Sequence, residues 1–560
     1  MNDQPTVPLR DPAKIMRLAR LGSLHQCRLS FMRILTRRMA KEGWVFTRPI
    51  FQIDAKGVGH AVYTAKAPNH SYSLIAFAHD LPDRLRSDRV IAEAWDATFT
   101  LFDGIATAGD LERLSNNVPL QEAGRVSGRE LSLSRANRSV RLWSHVVESL
   151  SEGRQPDLGM IRQVGYLMRT TAVYGSGKFG AADRDMIADR VEMQPPFQAE
   201  MLSVYLTRAF VCDLVQHMAS VKGGAKVVQL DPAIARQLGI GNSTGLGMAP
   251  YIINHPKIFN NWILARETAI ARVRSCKTAS AQEVALFHEV LESSELLHSN
   301  WHSTHPIQTG KLAQLGHDLS LLKSRIASSD LTRDFPWNRL MGWAEAALAE
   351  EGQELVASLI LEPYPDLVDE LAPSMADTSP HAFAIDGTMP VSRVRHLIEQ
   401  NFAWALDIDW QAPQNCARLW YVSQEKLEPR LGERSEEHIG DYEQPLAIAR
   451  DQAACYRALD GWQADQPIAA FLLVHPEHRH IIRRAQISLN APYSEIRDNT
   501  ISADMLPIDM LRAKLAFFGA IHFDPRSDRW VRICMYSNAP YPQDLNMSNA
   551  DRWIYPAACR

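Results

Sequence analysis

The sequence predicts an α+β protein, and three observations carry this prediction. Runs of β-branched and aromatic residues alternate with turn signals between Trp44 and His79, as in antiparallel strands. Helical periodicity dominates from Asp88 to Leu361, and strand-like runs return after the proline-rich residues 362–380. With 560 residues, 46% hydrophobic and 22% charged, the chain is long and apolar enough for several globular domains, which excludes collagen-like and disordered classes.

These observations divide the chain into five parts. They are a basic N-terminal helix or arm (1–43), a small antiparallel sheet (44–87), a mainly helical body (88–361), a Pro/Ser-rich linker (362–380) and a C-terminal α+β domain (381–560).

The first element is a predicted basic amphipathic helix from Asp11 to Lys41. Its basic residues are Lys14, Arg17, Arg20, Arg28, Arg33, Arg37, Arg38 and Lys41. Such a helix can bind RNA, lipid headgroups or a partner subunit, or it can be a surface helix whose charges are balanced by acidic residues elsewhere.

The predicted small sheet consists of three strands, Val45–Ile53, His60–Ala65 and Ser71–Ala78. Turn residues separate them at Lys56-Gly57 and at Pro68-Asn69. The spacing predicts an antiparallel meander.

The body is predicted to be helical because apolar residues recur at helical spacing and helix starts are marked. The helices are Asp88–Phe102, Ser139–Leu150, Phe197–Val221, Lys257–Arg274, Leu312–Ile326 and Arg339–Leu361. Asp231 before Pro232 predicts an N-cap, and Ser280 with Glu283 predicts a capping box.

The C-terminal part combines one predicted helix, Val391–Leu406, with several short apolar runs. We interpret these runs as the strands Ala417–Val422, Ile468–Val474, Ile482–Leu489, Leu515–Phe523 and Trp530–Ser537.

Charge and cysteine content point to a cytoplasmic protein. The net charge of −4 argues against nucleic-acid binding as a general property, and no apolar run approaches the length of a membrane span. The seven cysteines are widely spaced without a C-x-x-C pair, which argues against a disulfide framework, and no segment resembles a signal peptide. A homo-oligomer is compatible with an enzyme of this size.

The first candidate site is the segment Arg169–Gly180. Its glycines and cations could present backbone N–H groups and positive charge to an anion, with binding assigned to Arg169, Gly175, Ser176 and Gly177 and chemistry to Tyr174 and Lys178. It is not a Walker A loop, because Phe179 follows the lysine. The alternative is an ordinary loop after a helix.

The second candidate is Gly239–Pro250, a glycine-rich segment ahead of a helix. Ser243 is a candidate catalytic residue, and the candidate ligands are Asn242, Thr244, Gly245 and the nearby Asn254. The alternative is a buried connector whose polar groups bond to backbone.

Two further groups could bind ligands. Arg135 and Arg138, just before a predicted helix, could clamp one carboxylate or phosphate. Glu295, His298, His302 and His305 would share one face of a helix that Pro306 stops, and could hold zinc or iron. Histidines in a last helical turn also interact favourably with the helix dipole, which is the alternative.

The hypothesis that combines most of these features is an enzyme that binds a small anionic substrate or cofactor between the two glycine-rich segments. Lys178, Tyr174 and Ser243 would carry lyase or transferase chemistry on a carboxylate or phosphorylated molecule. The cofactor is unassigned. Two alternatives remain open: a histidine-rich iron or zinc enzyme, with oxidoreductase chemistry as one option, and an RNA- or partner-binding module that uses the basic N-terminal helix.

Overall fold

The computed structural model describes most of the chain. The described residues are 7–21, 27–82, 94–121, 126–171, 187, 189–242, 252–253, 255–301, 306–376, 384–412, 415, 420–422, 429–431, 445–498, 512, 516–517, 519, 522–525, 531–546 and 550–554. In this part of the chain, no helix has the length and apolar composition needed to cross a bilayer.

Nine strands of the described residues form one sheet in the order β1-β2-β3-β4-β5-β6-β7-β11-β10, and two form a separate pair. The strands are β1 (Val45–Ile53), β2 (Gly59–Lys66), β3 (Ser71–Ala78), β4 (Ala97–Asp103), β5 (Glu130–Arg138), β6 (Tyr166–Thr171), β7 (Gly239–Asn242), β8 (Trp420–Val422), β9 (Pro429–Leu431), β10 (His522–Pro525) and β11 (Val531–Met535). Strands β6 and β7 are parallel, whereas the other neighbours in the nine-stranded sheet are antiparallel.

Helices precede, interrupt and follow these strands along the chain, so the predicted α+β class is confirmed. The helices are α1 (Pro12–Ile15), α2 (Leu18–Leu21), α3 (Phe31–Lys41), α4 (Ala108–Asn117), α5 (Leu142–Ser151), α6 (Leu158–Val164), α7 (Gln198–Gly223), α8 (Pro232–Gln237), α9 (Pro256–Arg274), α10 (Ala281–Ser299), α11 (Pro306–Ala327), α12 (Pro336–Ala347), α13 (Glu350–Leu359), α14 (Pro365–Asp369), α15 (Val391–Leu406), α16 (Pro445–Ala458), α17 (Ile468–Val474) and α18 (Arg479–Ile487).

The chain divides into two compact units, each made of segments that are distant in sequence. Unit 1 contains residues 1–27, 246–289 and 313–516, and unit 2 contains residues 28–245, 290–312 and 517–560. The nine-stranded sheet belongs to unit 2, and the small pair β8–β9 belongs to unit 1.

Both faces of the sheet are covered in unit 2. The long helix α7 packs on one face, where Phe210 contacts Phe99 with a ring-centre distance of 5.5 Å. An apolar cluster that includes residues of α4 covers part of the other face; its members are Val62, Ile75, Phe77, Phe102, Leu114, Val118 and Leu133. The middle strands are therefore buried on both sides.

Several predicted elements are confirmed. Strands β1 to β3 form the expected antiparallel meander, and α15 spans Val391–Leu406 as predicted. The Asp231 carboxylate accepts a hydrogen bond from the Ala233 amide at 2.7 Å, as expected of an N-cap. The Ser280 hydroxyl and the Glu283 carboxylate make the reciprocal bonds of a capping box, at 3.2 and 2.6 Å.

Two predictions in the helical body and the C-terminal part are wrong. Residues 97–102, predicted as the end of a helix, belong to β4, where Thr98 and Thr100 are fully buried between neighbouring strands. Residues 468–474 and 482–487, predicted as strands, lie in α17 and α18. Short apolar runs fit a buried strand or a buried helix equally well, so periodicity does not decide between them.

The predicted single helix from Asp11 to Lys41 is also wrong, since the described residues of this segment form the separate helices α1, α2 and α3. The predicted linker 362–380 contains α14 and a 3₁₀ turn at Ala372–Met375, with residues 377–380 outside the described ranges.

Candidate functional site

Strands β6 and β7 end at the same edge of the sheet. They are parallel neighbours, and Thr170 pairs with Asn242 near the end of both strands. The glycine-rich segments follow at once, residues 172–180 after β6 and residues 243–250 after β7. The chain therefore enters both segments at one edge of one sheet, although they are far apart in sequence.

Most residues that were predicted to bind or react lie outside the described residues. These are Tyr174, Gly175, Ser176, Gly177, Lys178, Ser243, Thr244, Gly245 and Asn254. Asn242 is the last residue of β7, and its backbone position also pairs with Ile533 of β11. The roles of these residues stay predictions. The part of the candidate site that the structure describes consists of side chains on the strands of the sheet.

Arg135 and Arg169 lie on one face of the sheet. Arg135 and Asn137 are two residues apart in β5, and Asn137 is paired directly with Arg169 in β6. Thr98 of β4 is paired with Arg135. Alternate residues of a strand share a face, and so do directly paired residues of neighbouring strands. These four side chains therefore form one group, which we call the arginine face (Thr98, Arg135, Asn137 and Arg169).

The contacts of Arg135 and Asn137 organise the end of this face. The Arg135 guanidinium lies 4.5 Å from the centre of the Trp95 ring. The Asn137 side chain accepts a hydrogen bond from the Asp96 amide at 2.8 Å and donates one to the Ala94 carbonyl at 3.1 Å. Asn137 thus holds the segment that carries Trp95, and stacking on the indole orients the planar guanidinium.

The arginine face carries positive charge, half-buried at Arg135 and buried at Arg169. Burial lowers the pKa of Arg135 to about 10, so the group is still charged at neutral pH. Arg169 is only 5% exposed and is the diagonal neighbour of Arg135 across β5 and β6. Diagonal neighbours in a sheet are about 7–8 Å apart, so the two arginines belong to one region of this face.

Arg138 lies on the opposite face of β5 because it is three residues from Arg135. Its Nε is 3.6 Å from Oδ1 of Asp96, and its guanidinium lies 4.6 Å from the centre of the Trp143 ring. The predicted clamp, in which Arg135 and Arg138 hold one anion together, is therefore wrong. The segment is a strand, whereas the clamp assumed the start of a helix.

Two glycines of the second candidate segment have a structural explanation. Gly239 and Gly241 lie in β7, and a β-carbon at Gly241 would be 2.6 Å from Cγ of Tyr166. A β-carbon at Gly239 would be 2.3 Å from the Met535 carbonyl oxygen. Close packing of β7 against its neighbours requires both glycines, so the expected loop does not begin until after Asn242.

The predicted metal ligands do not share one helix. Helix α10 ends at Ser299, and Pro306 begins α11 where it was expected to stop a helix. Glu295 and His298 lie in α10, with the His298 Nε2 2.7 Å from the Leu312 carbonyl oxygen, while His302 and His305 are outside the described residues. Within the described ranges, no group of three or more His, Cys, Asp or Glu side chains could hold a metal ion.

Apart from the exposed Arg17 and Lys41, the basic residues of the N-terminal segment are buried or half-buried and do not form the expected exposed face. In unit 1, Arg10 and Arg20 are buried in an ion-pair network whose other members are Arg266, Glu267 and Glu354. In unit 2, Arg28, Arg33 and Arg37 surround Asp551. Arginines that are already paired with these carboxylates are not available to RNA phosphates, so the structure gives the RNA-binding alternative no support.

Sequence reasoning missed Thr98, Asn137 and Trp95 as parts of the site. The alternation of residues 130–135, Glu-Leu-Ser-Leu-Ser-Arg, was the available signal, because a period of two predicts a strand. With that strand recognised, Arg135 and Asn137 fall on one face. Their pairing with β4 and β6 depends on sheet order, which the local pattern does not contain.

Comparison of the chain with protein-family models, with curated proteins and with solved structures finds no match to any of them.

Proposed function

We propose that the protein is an enzyme that binds a small anionic molecule, a carboxylate or a phosphorylated compound, at the edge of the sheet where β6 and β7 end. One observation carries this proposal. Both glycine-rich segments begin at this edge, next to the half-buried guanidinium of Arg135 and the buried one of Arg169. Ligands of sheets with parallel strands commonly bind at the carboxyl ends of those strands.

The chemistry of the edge suits an oxyanion. Guanidinium groups form paired hydrogen bonds with carboxylates and phosphates, and the low dielectric of a buried site strengthens them. Glycine-rich segments let successive backbone N–H groups point at the same anion. The predicted cation Lys178 would add a third positive charge.

The reaction class in the proposal is lyase or transferase. Lys178 and Tyr174 can exchange protons with a bound substrate, and Ser243 can orient it by hydrogen bonding. Elimination, addition and group transfer at a carboxylate or phosphorylated centre all need this combination of charge stabilisation and proton transfer. No metal ion is required by the proposal.

Binding is tested with purified protein, by titration calorimetry against sulfate, inorganic pyrophosphate and succinate. We expect at least one of these anions to bind, and Arg135→Gln and Arg169→Gln each to weaken its binding by about 10- to 100-fold, the worth of one charged hydrogen bond. The matched control is Arg129→Gln, which makes the same charge change at a half-exposed residue beside the other end of β5.

Equal affinities in all three arginine variants would contradict the proposed site. The catalytic part has a separate test once a substrate is found, in which Lys178→Met and Ser243→Ala should each lower kcat. Full activity of both variants would contradict the roles given to the two segments.

A further inference from the structure

His79 lies beside the arginine face. It follows β3 directly, two residues after Phe77, which is paired with Thr98 of β4. The imidazole therefore lies on the same side of the sheet, where its Nε2 is 2.9 Å from Oγ1 of Thr98. Because Thr98 is paired with Arg135, one side chain separates the imidazole from this arginine.

The surroundings favour a neutral imidazole in the absence of an anion. Burial lowers the pKa of His79, and the nearby Asp96 carboxylate offsets only part of this effect. Among the described residues, the titratable and charged groups that face this region from neighbouring elements are Asp96 before β4, Arg135 on β5 and His60 on β2, whose ring contacts Phe77 at 6.2 Å. At neutral pH, the His79 imidazole is therefore neutral and can take up one proton on a ring nitrogen.

A bound anion would change this balance. Negative charge placed at the arginine face favours the protonated form of a nearby imidazole. The contact with Thr98 survives protonation, because a threonine hydroxyl can donate to a neutral ring nitrogen or accept from a protonated one.

We infer that His79 takes up a proton when an anion binds at the arginine face and then serves as the acid of the site. This inference rests on the proposed function. The proton comes from solvent and resides on the imidazole until a substrate atom accepts it, so the bound anion keeps its charge on binding. The substrate class is thereby narrowed to anions that accept a proton as they react, for example on release of an oxygen leaving group.

Calorimetry in two buffers with different protonation enthalpies tests the inference at pH 7. Sulfate and succinate serve as probes, since neither takes up protons appreciably at this pH. We expect the wild type and the control His60→Asn to take up a fraction of one proton on binding, and His79→Asn to take up none. Wild-type affinity should also increase as the pH falls from 7.5 to 6, by less than about tenfold per pH unit, the limit for one proton.

The outcomes separate the two proposals. If neither anion binds to the wild type, the proposed function fails and the inference fails with it. If an anion binds and His79→Asn takes up as many protons as the wild type, the inference alone is overturned. His79→Gln, measured in the same way, replaces His79→Asn if that variant does not fold.

Discussion

Gly241 shows how one absent side chain sets the geometry of the proposed site. The ring of Tyr166 occupies the space that a β-carbon would need, so β6 and β7 can be neighbours only with glycine at this position. The glycine-rich segments follow these same two strands in the sequence. Gly241 therefore allows the strand packing that places the proposed site.

Gly241→Ala should destabilise the protein by about 1–3 kcal/mol, because the added methyl group overlaps a buried ring and forces the strands apart. The midpoint of urea unfolding measures this change. Gly342→Ala is the matched control, since Gly342 lies in α12 with open space around the added β-carbon. Alanine is the better helix former, so the control should be stabilised by about 0.5–1 kcal/mol. Equal effects in the two variants would contradict the packing explanation.

Residue chemistry could be predicted from the sequence more readily than residue contacts. The sequence predicts Arg135 and Arg169 as anion ligands because the guanidinium group alone suggests that role. Their common face could not be recognised, because it depends on β5 being a strand and on β6 being its neighbour. Cross-strand pairs join residues that are distant in sequence, and a local pattern contains no information about them.

At the scale of whole elements, prediction succeeded where turn and cap signals bracket a segment. The meander of β1 to β3 is bounded by turn residues, and α9 begins close to its predicted start at a proline. It failed at β4, where residues 97–101 alternate between apolar and polar side chains, a period of two that predicts a strand, yet were assigned to the end of a helix. Thr98 and Thr100 are buried although they are polar, because this strand is covered on both faces.

Helix α3 depends on one carboxylate outside it. Asp551 lies 2.7 Å from Arg28 and 3.2 Å from Arg37, and Arg33 is 3.9 Å away. Burial by itself would raise the pKa of Asp551, but Arg37, Arg28 and Arg33 outweigh it and lower this pKa to about 2. A carboxyl whose pKa is lower in the folded than in the unfolded protein stabilises the fold above its unfolded pKa. That contribution is lost as the pH falls from about 4 to about 2.

Asp551→Asn should therefore lower the free energy of unfolding at pH 7 by about 2 kcal/mol or more, because it also leaves buried arginines without their counter-charge. The difference from the wild type should narrow as the pH falls below 4. Urea unfolding across this pH range measures both effects. Asp460→Asn, which breaks an exposed pair with Arg395, is the control and should cost less than about 1 kcal/mol. A difference from the wild type that does not change with pH would contradict the assignment.

At the scale of the molecule, the N-terminal residues are part of the core of unit 1. Arg10 bonds to both Glu267 and Glu354, and Arg20 bonds to Glu354, with all of these side chains buried. The paired arginines hold the pKa of Glu354 well below its usual range despite the opposing effect of burial. The segment that the sequence presents as a basic arm is therefore an internal part of the fold.

Deletion of residues 1–21 should sharply lower the thermal unfolding midpoint and the soluble yield. Buried carboxylates that lose their partners typically cost about 3–5 kcal/mol. Deletion of residues 1–6 alone is the control, because it retains Arg10 and Arg20, and it should leave the midpoint nearly unchanged. Equal midpoints in the two deletions would show that the buried network contributes little.

The pairing of β11 with β7 has a consequence for the synthesis of the protein. Residues 531–535 complete the sheet beside a strand formed by residues 239–242. During translation, residues 239–242 leave the ribosome long before residues 531–535 are made. Until then, the edge of β7 that pairs with β11 has no partner strand. Open strand edges invite pairing with other chains. Chains cut short before residue 531 should therefore be prone to aggregation and be recognised by chaperones and proteases, because the edge of β7 then stays without its partner strand.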